Sequence, residues 1–88
     1  MANLWSGQIT NKDEWEKFTN ISGKSLTDDT KYSIQVRGAC WLCDKATEPA
    51  DREGFLREIP KPFGFTKKSG SDLWVRAASN FCEITIAD

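Results

Sequence analysis

The chain has 88 residues, with 12 basic and 13 acidic side chains and a formal net charge of −1. This length predicts one domain, residues 1–88, whose core is marginal unless disulfides, a metal or self-association supplement it. Because the charges are nearly balanced and interspersed, no basic stripe is available to neutralise phosphates, and nucleic-acid binding is not expected.

Two targeting features are missing from the sequence. No run approaches the roughly 18 apolar residues that span a bilayer. The N-terminus also lacks the basic segment followed by an apolar one that marks a signal peptide. We therefore expect no membrane partner, synthesis in the cytoplasm, and thiols that remain reduced.

The first predicted element is a short helix that follows an N-terminal arm, residues 1–10. In "NKDEWEKFTN", Asn11 and Glu14 resemble a capping box, and Trp15 and Phe18 would share one face of the helix. An extended segment that pairs with a neighbouring strand is the alternative. The segment "NISGKSLTDDTK" then has the composition of a turn.

The next elements have the two-residue period of strands. "KYSIQVRG" alternates apolar and polar side chains and predicts a half-buried strand that ends at Gly38. "ACWLC" is either an extension of that strand or its return partner. The two prolines in "FLREIPKPFGFTKKSGSD" confine its middle to an edge strand or an extended loop.

The C-terminal part predicts two more strands, "LWVRAA" and "FCEITIAD", joined by a tight hairpin at "AASNFC" with Asn80 in the turn. The last strand is a candidate for a sheet edge, where it would pair with another subunit. Together these elements predict a mainly β fold: a small antiparallel β-sandwich or barrel with one short N-terminal helix.

The pair Cys40 and Cys43 raises the question of a metal or redox site. Structural zinc takes four ligands, yet the chain has no histidine, so Cys82 and a carboxylate such as Asp44 would have to complete the set. A redox pair needs a thiolate that is stabilised at the N-terminus of a helix. Pro49 comes too soon after Cys43 for a long helix to follow. Residues three apart on a strand face opposite sides. We therefore expect structural thiols and no metal, with pairing of either cysteine to Cys82 under oxidation left open.

No catalytic or cofactor-binding residue is predicted. The absence of histidine excludes Ser-His-Asp and Cys-His arrangements within the chain. The carboxylate pairs lie in turn or cap segments, and no glycine-rich phosphate loop is present. The expected protein is therefore not an enzyme and carries no cofactor.

Four tryptophans are more than a minimal core requires. Trp15 and Trp74 lie in patterned segments and suit a core, whereas Trp5 lies in a polar stretch and Trp41 between two cysteines. Exposed aromatic rings mark protein interfaces or sugar-stacking platforms. Trp5 and Trp41 are therefore the candidate protein or sugar contacts. The alternative, in which all four tryptophans lie in or half in the core, stays open.

"TKYSIQVRG" and the closing "LWVRAASNFCEITIAD" resemble a pattern of small phage virion accessory proteins, and "LWSG" and "EWEKF" fit the same layout loosely. The clear likeness covers about a quarter of the chain and leaves residues 39–71 largely unmatched, with "CWLC" departing from the pattern. The resemblance implies an all-β module associated with the head or tail of a particle.

The expected function is therefore that of a non-enzymatic head-decoration, head-fibre or tail-associated protein, located in the virion after synthesis in the host cytoplasm. Its expected partners are capsid or tail proteins and other copies of itself. One alternative is a carbohydrate-binding module that stacks glycans on Trp5 or Trp41. A second is a small phage-encoded inhibitor of a host protein, although a net charge of −1 is little for mimicry of a nucleic-acid backbone.

Overall fold

A computed structural model describes residues 3–88. In these residues six strands and one helix follow one another: β1 Asn3–Gln8, β2 Glu16–Lys17, α1 Phe18–Ser22, β3 Lys31–Lys45, β4 Phe55–Arg57, β5 Phe63–Thr66 and β6 Asp72–Ala87. All six strands belong to one antiparallel sheet. The predicted mainly β fold with one short helix is confirmed.

The two long strands β3 and β6 pair with each other along most of their length and form the middle of the sheet. The strand order is β1-β6-β3-β4, with β2 also paired to β6 and β5 also paired to β3. One half of the long pair is therefore flanked by β1 and β5, and the other half by β2 and β4.

A large irregularity separates the two halves. Gly38 of β3 lies opposite Cys82, and Cys40 lies opposite Ala77, so residues 78–81 of β6 face a single residue of β3. These four residues, 78–81, are called the excursion, and they give β6 three more residues than β3 at this point. Because three is an odd number, the excursion reverses which side chains of β6 point inward. Its inward side chains are odd-numbered before the excursion and even-numbered after it, so both halves still point to the core.

The pairing of β3 with β6 bears on two predictions, the hairpin at "AASNFC" and the role of "ACWLC". The predicted hairpin at "AASNFC" is wrong, because these residues bulge out of one continuous strand instead of reversing the chain. "ACWLC" is the extension of β3 and not a return strand. Gly38 has a φ of 81°, and the space that a β-carbon would fill there is occupied by the carbonyl group of Phe81.

The main core lies on one face of the long strand pair. Its almost fully buried members from β3 and β6 are Ile34, Val36, Cys40, Leu42, Val75, Cys82, Ile84 and Ile86. Phe18 of α1 is also fully buried and packs in the same cluster. Since each of these side chains contributes about 1.5–3 kcal/mol when buried, the two long strands supply most of the stability.

The last strand does not lie at an edge. The C-terminal half of β6 is hydrogen-bonded to β1 on one side and to β3 on the other, so the predicted edge position is wrong. Residues 3–8 of the predicted N-terminal arm form β1, and Ile9 is 3% exposed in the core. The first two residues of that arm lie outside the described part of the chain.

The predicted helix is displaced toward the C-terminus. Asn11 Oδ1 accepts hydrogen bonds from the backbone N–H groups of Asp13 at 3.0 Å and Glu14 at 2.9 Å, as a capping residue would. The chain then pairs with β6 at Glu16–Lys17, which is the extended alternative, and becomes helical only at Phe18–Ser22. This five-residue helix is too short to cross a bilayer, and no other helix in residues 3–88 could do so.

Candidate functional site

A second apolar cluster lies on the face of the sheet opposite the main core. Trp15, Cys43 and Trp74 are 6–8% exposed, and half-buried Trp41 packs against them. The guanidinium group of Arg76 lies 5.3 Å from the ring centre of Trp15 and 5.8 Å from that of Trp41. These five residues are called the outer cluster.

Residues 46–54 cover part of the outer cluster. The indole N–H of Trp15 donates to the carbonyl oxygen of Ala50 at 2.9 Å, and Arg76 Nη1 lies 2.6 Å from Asp51 Oδ1. The indole N–H of Trp74 donates to the carbonyl oxygen of Lys45 at 2.9 Å. The polar edges of two tryptophans are therefore satisfied within the chain, as buried indoles require.

Glu53 holds the covering segment to β3. Its Oε1 accepts from Lys45 Nζ at 2.8 Å and from the backbone N–H of Ala50 at 2.9 Å. These hydrogen bonds, the one from Lys45 first, lower the pKa of Glu53 below its ordinary value of 4.5. The segment is thus fastened by a carboxylate that is charged at neutral pH.

The three cysteines carry free, buried thiols. Cys40 belongs to the main core and Cys43 to the outer cluster, which confirms that they face opposite sides of the strand. The hydrogen bond between the Cys40 and Cys82 thiols, together with burial, raises the pKa of Cys40. Burial also raises the pKa of Cys43. Because the thiolate is the reactive form, both positions suit packing better than chemistry. Within residues 3–88, no three His, Cys, Asp or Glu side chains cluster as metal ligands would.

The two candidate contact tryptophans occupy different surroundings. Trp5 lies on β1 opposite Ile86, with its ring against Gly7 and edge-on to Phe18 at a centroid distance of 5.5 Å. It is half-buried against the main core. Trp41 lies in the outer cluster on the other face of the sheet, so the structure does not bring the two rings together.

Three of the four large apolar side chains that are exposed in residues 3–88 lie elsewhere, on β4 and the segment after it. Phe55 is 48% exposed, Leu56 is 41% exposed and Ile59 is 60% exposed. These three residues are called the edge patch. A single exposed apolar residue is ordinary, but several adjacent ones on a sheet edge mark an interaction surface.

The pairing of β4 sets the directions of these side chains. Arg57 lies opposite Cys40, Leu56 opposite Trp41 and Phe55 opposite Leu42. Phe55 and Arg57 therefore point to the core side of the sheet, and Leu56 points to the side of Trp41. In the described part of the chain β4 pairs only with β3, so its outer edge is open.

The aromatic ring of Phe63 supports the edge patch. It lies edge-on to Phe55 at 5.9 Å, and the guanidinium group of Arg57 lies 4.6 Å from its centre. Arg57 Nη2 also donates to the carbonyl oxygen of Lys61 at 2.8 Å. The arginine is thus fixed beside Phe55.

An open groove of about 410 Å³ continues from Phe63 along β3 and β5, between Pro62 and Asp88. Its polar side chains are Lys31 and Ser33, with the carboxylate of Asp88 at its end. The groove therefore offers both signs of charge and one aromatic wall, and selects no single ligand class.

The sequence patterns confine the middle of "FLREIPKPFGFTKKSGSD" to an edge strand or an extended loop and predict no binding surface in it. Phe55, Leu56 and Ile59 read as ordinary apolar residues of a strand, and only the flanking Pro60 and Pro62 indicated that the segment could not be central. Comparisons of the chain with known protein families, with curated proteins and with solved structures each found no match.

Proposed function

We propose that this chain is a non-enzymatic binding module that attaches to a protein assembly through the edge patch. The observation that supports the proposal most directly is the exposure of Phe55, Leu56 and Ile59 on an unpaired strand edge. Apolar side chains and open backbone groups in one place suit a protein partner, which contributes both a strand and side chains.

The carbohydrate-binding alternative has less support from the same structure. A sugar-stacking platform needs a flat ring open to solvent with polar groups beside it. The ring of Trp5 is packed against Gly7 and Phe18, and Trp41 is packed among the outer cluster. Neither tryptophan is among the strongly exposed apolar residues, whereas all three residues of the edge patch are.

The more specific form of the proposal is an accessory protein of a phage particle. It rests on the resemblance of "TKYSIQVRG" and "LWVRAASNFCEITIAD", which form much of β3 and β6. The edge patch falls in residues 39–71, the part that the resemblance leaves unmatched. Shared central strands with a variable edge would let related modules keep one scaffold and bind different partners.

The test is the presence of the chain in purified particles. Mass spectrometry of particles from a phage that encodes it should find the wild-type chain in stoichiometric amount. The amount of a Leu56→Lys variant in the particles should be lower by at least about tenfold, because a charged residue replaces an apolar one at the centre of the contact. Phe81→Lys is the matched control, since Phe81 is 50% exposed and lies outside the edge patch.

Two results would contradict the proposal. Wild-type chain absent from the particles would remove the virion assignment, and the inhibitor of a host protein would then become the leading interpretation. Equal retention of the Leu56→Lys and wild-type chains would show that the edge patch is not the contact. Melting curves of both variants establish that any loss comes from binding and not from unfolding.

A further inference from the structure

We propose that the edge patch binds the same patch of a second copy, with the two β4 strands antiparallel about a two-fold axis at Leu56. This inference rests on the proposed function and names one partner for the edge patch. A two-fold contact uses the same surface on both copies, so the strand must be complementary to itself.

The open edge of β4 provides the backbone part of this contact. Its side chains are apolar on both faces, with Phe55 on the core side and Leu56 on the side of Trp41. A strand added there would gain apolar neighbours on each face as well as backbone hydrogen bonds. The net charge of −1 opposes the approach of a second copy only weakly.

Charge and backbone conformation together select the register. Directly opposite residues of antiparallel strands share a face, so a two-fold axis between two such strands places one residue opposite its own copy. An axis at Arg57 would oppose two guanidinium groups, and an axis at Glu58 would oppose two carboxylates. Like charges directly opposite each other are destabilising. An axis at Phe55 would place Leu56 opposite Gly54, which has no side chain and whose φ of 89° is not that of a strand. An axis at Leu56 pairs two leucines instead.

The same register gives Phe55 a partner. It lies opposite Arg57 of the second copy, and Arg57 lies opposite Phe55 of that copy. Within one chain the guanidinium group of Arg57 already lies 4.6 Å from the ring centre of Phe63 on one side. Arg57 is half-buried and a planar guanidinium group presents two faces, so we expect the ring of Phe55 from the second copy to pack on the face that Phe63 does not contact.

The length of the contact is limited by the prolines after β4, and its stoichiometry by the two-fold symmetry. Pro60 and Pro62 have no backbone N–H, so a ladder cannot extend far beyond Ile59. A two-fold contact is also saturated by one partner, which prevents growth into a fibre. Because three paired residues bury little area, the free dimer is expected to be weak. In this form of the proposed function the protein that the edge patch contacts on the assembly is a neighbouring copy of the chain, and the contact gains strength where copies are held side by side.

A cysteine in place of Leu56 tests the register directly. The Leu56→Cys variant, concentrated and treated with copper(II) phenanthroline as the oxidant, should form a covalent dimer through its two introduced thiols. The wild type should not, because its three thiols are buried. The matched Phe81→Cys variant should not cross-link either. No dimer from Leu56→Cys, or equal cross-linking of Phe81→Cys, would overturn the proposal.

A pair of charge variants tests the Phe55 contact. Phe55→Glu and Phe55→Lys both remove the ring, but only the carboxylate attracts Arg57 of the second copy. Sedimentation should show that the lysine variant dimerises roughly tenfold more weakly than the glutamate variant, because the difference acts at two symmetric contacts. Equal dissociation constants, or the reverse order, would refute the register.

Failure of this inference can be told apart from failure of the proposed function. If Leu56→Cys does not cross-link but Leu56→Lys is still lost from particles, the edge patch binds another protein and self-pairing is wrong. If Leu56→Lys stays on the particles, the proposed attachment through the edge patch is wrong, whatever the cross-linking shows.

Discussion

Replacing Gly38 by alanine is expected to destabilise the fold by about 2–5 kcal/mol. The φ of 81° is a left-handed conformation that costs an L-residue roughly 1–2 kcal/mol. The added β-carbon would also meet the carbonyl group of Phe81, and forcing backbone apart costs about 1–3 kcal/mol more. A chain of 88 residues has a total stability near the lower end of about 5–15 kcal/mol, so this is a large fraction.

Gly23→Ala is the matched control. Gly23 ends α1 with a φ of 69°, but no heavy atom lies within 4 Å of the position its β-carbon would take. Its replacement should therefore cost only the conformational part, about 1–2 kcal/mol. Urea unfolding followed by tryptophan fluorescence gives both values. Equal losses for the two variants would show that residues 78–81 do not press against β3 at Gly38, and the account of the excursion would be wrong.

Three further predictions concern the core, Trp5 and the covering segment. Truncation after Glu83 removes two fully buried isoleucines from a central strand and should abolish the cooperative thermal transition; a retained transition would make the strand dispensable. Trp5→Ala should cost about 2–3 kcal/mol in urea unfolding, since its ring packs on the core; wild-type stability with weakened particle binding would instead support Trp5 as a contact. The lowered pKa of Glu53 contributes stability that is complete above pH 4.5 and is lost as the pH falls through the lowered value. Tryptophan fluorescence should therefore change more in the wild type than in Glu53→Gln on acidification, and identical titrations would contradict this role.

The long strands could be predicted because their alternation is a local property. Tyr32, Ile34 and Val36 on β3, and Cys82, Ile84 and Ile86 on β6, are all buried where the two-residue period places them. The opposite directions of Cys40 and Cys43 follow from the same geometry. These features need no knowledge of the rest of the chain.

The excursion and the strand order could not be predicted in the same way. Ser79 and Asn80 suit a hairpin turn as well as a bulge, and the choice depends on Gly38, which lies far away in sequence. β6 is central because β1 pairs with its outer side, and the sequence of β1 has no alternation of apolar and polar residues that would predict a strand. The distant contact between Ser6 and Thr85, with hydroxyl oxygens 2.9 Å apart, shows how remote that partner is.

The exposure of the edge patch could not be predicted from the sequence for a different reason. Apolar composition predicts burial in general, and the sequence does not show which apolar strand remains uncovered. Phe55 and Leu56 are exposed because β4 has a single neighbour in the sheet, a consequence of topology. The position of Trp41 between two cysteines predicts a contact residue, yet its ring packs within the outer cluster.

Amide hydrogen exchange of the chain, free and assembled, tests most directly the claim that β4 is the binding edge. Edge amides without a partner exchange through local fluctuations, and pairing with another strand protects them. We expect protection in residues 55–57 to rise on assembly, while the amides of β1, an edge strand on the opposite side of the sheet, stay unchanged. Increased protection in β1 with none in residues 55–57 would contradict it.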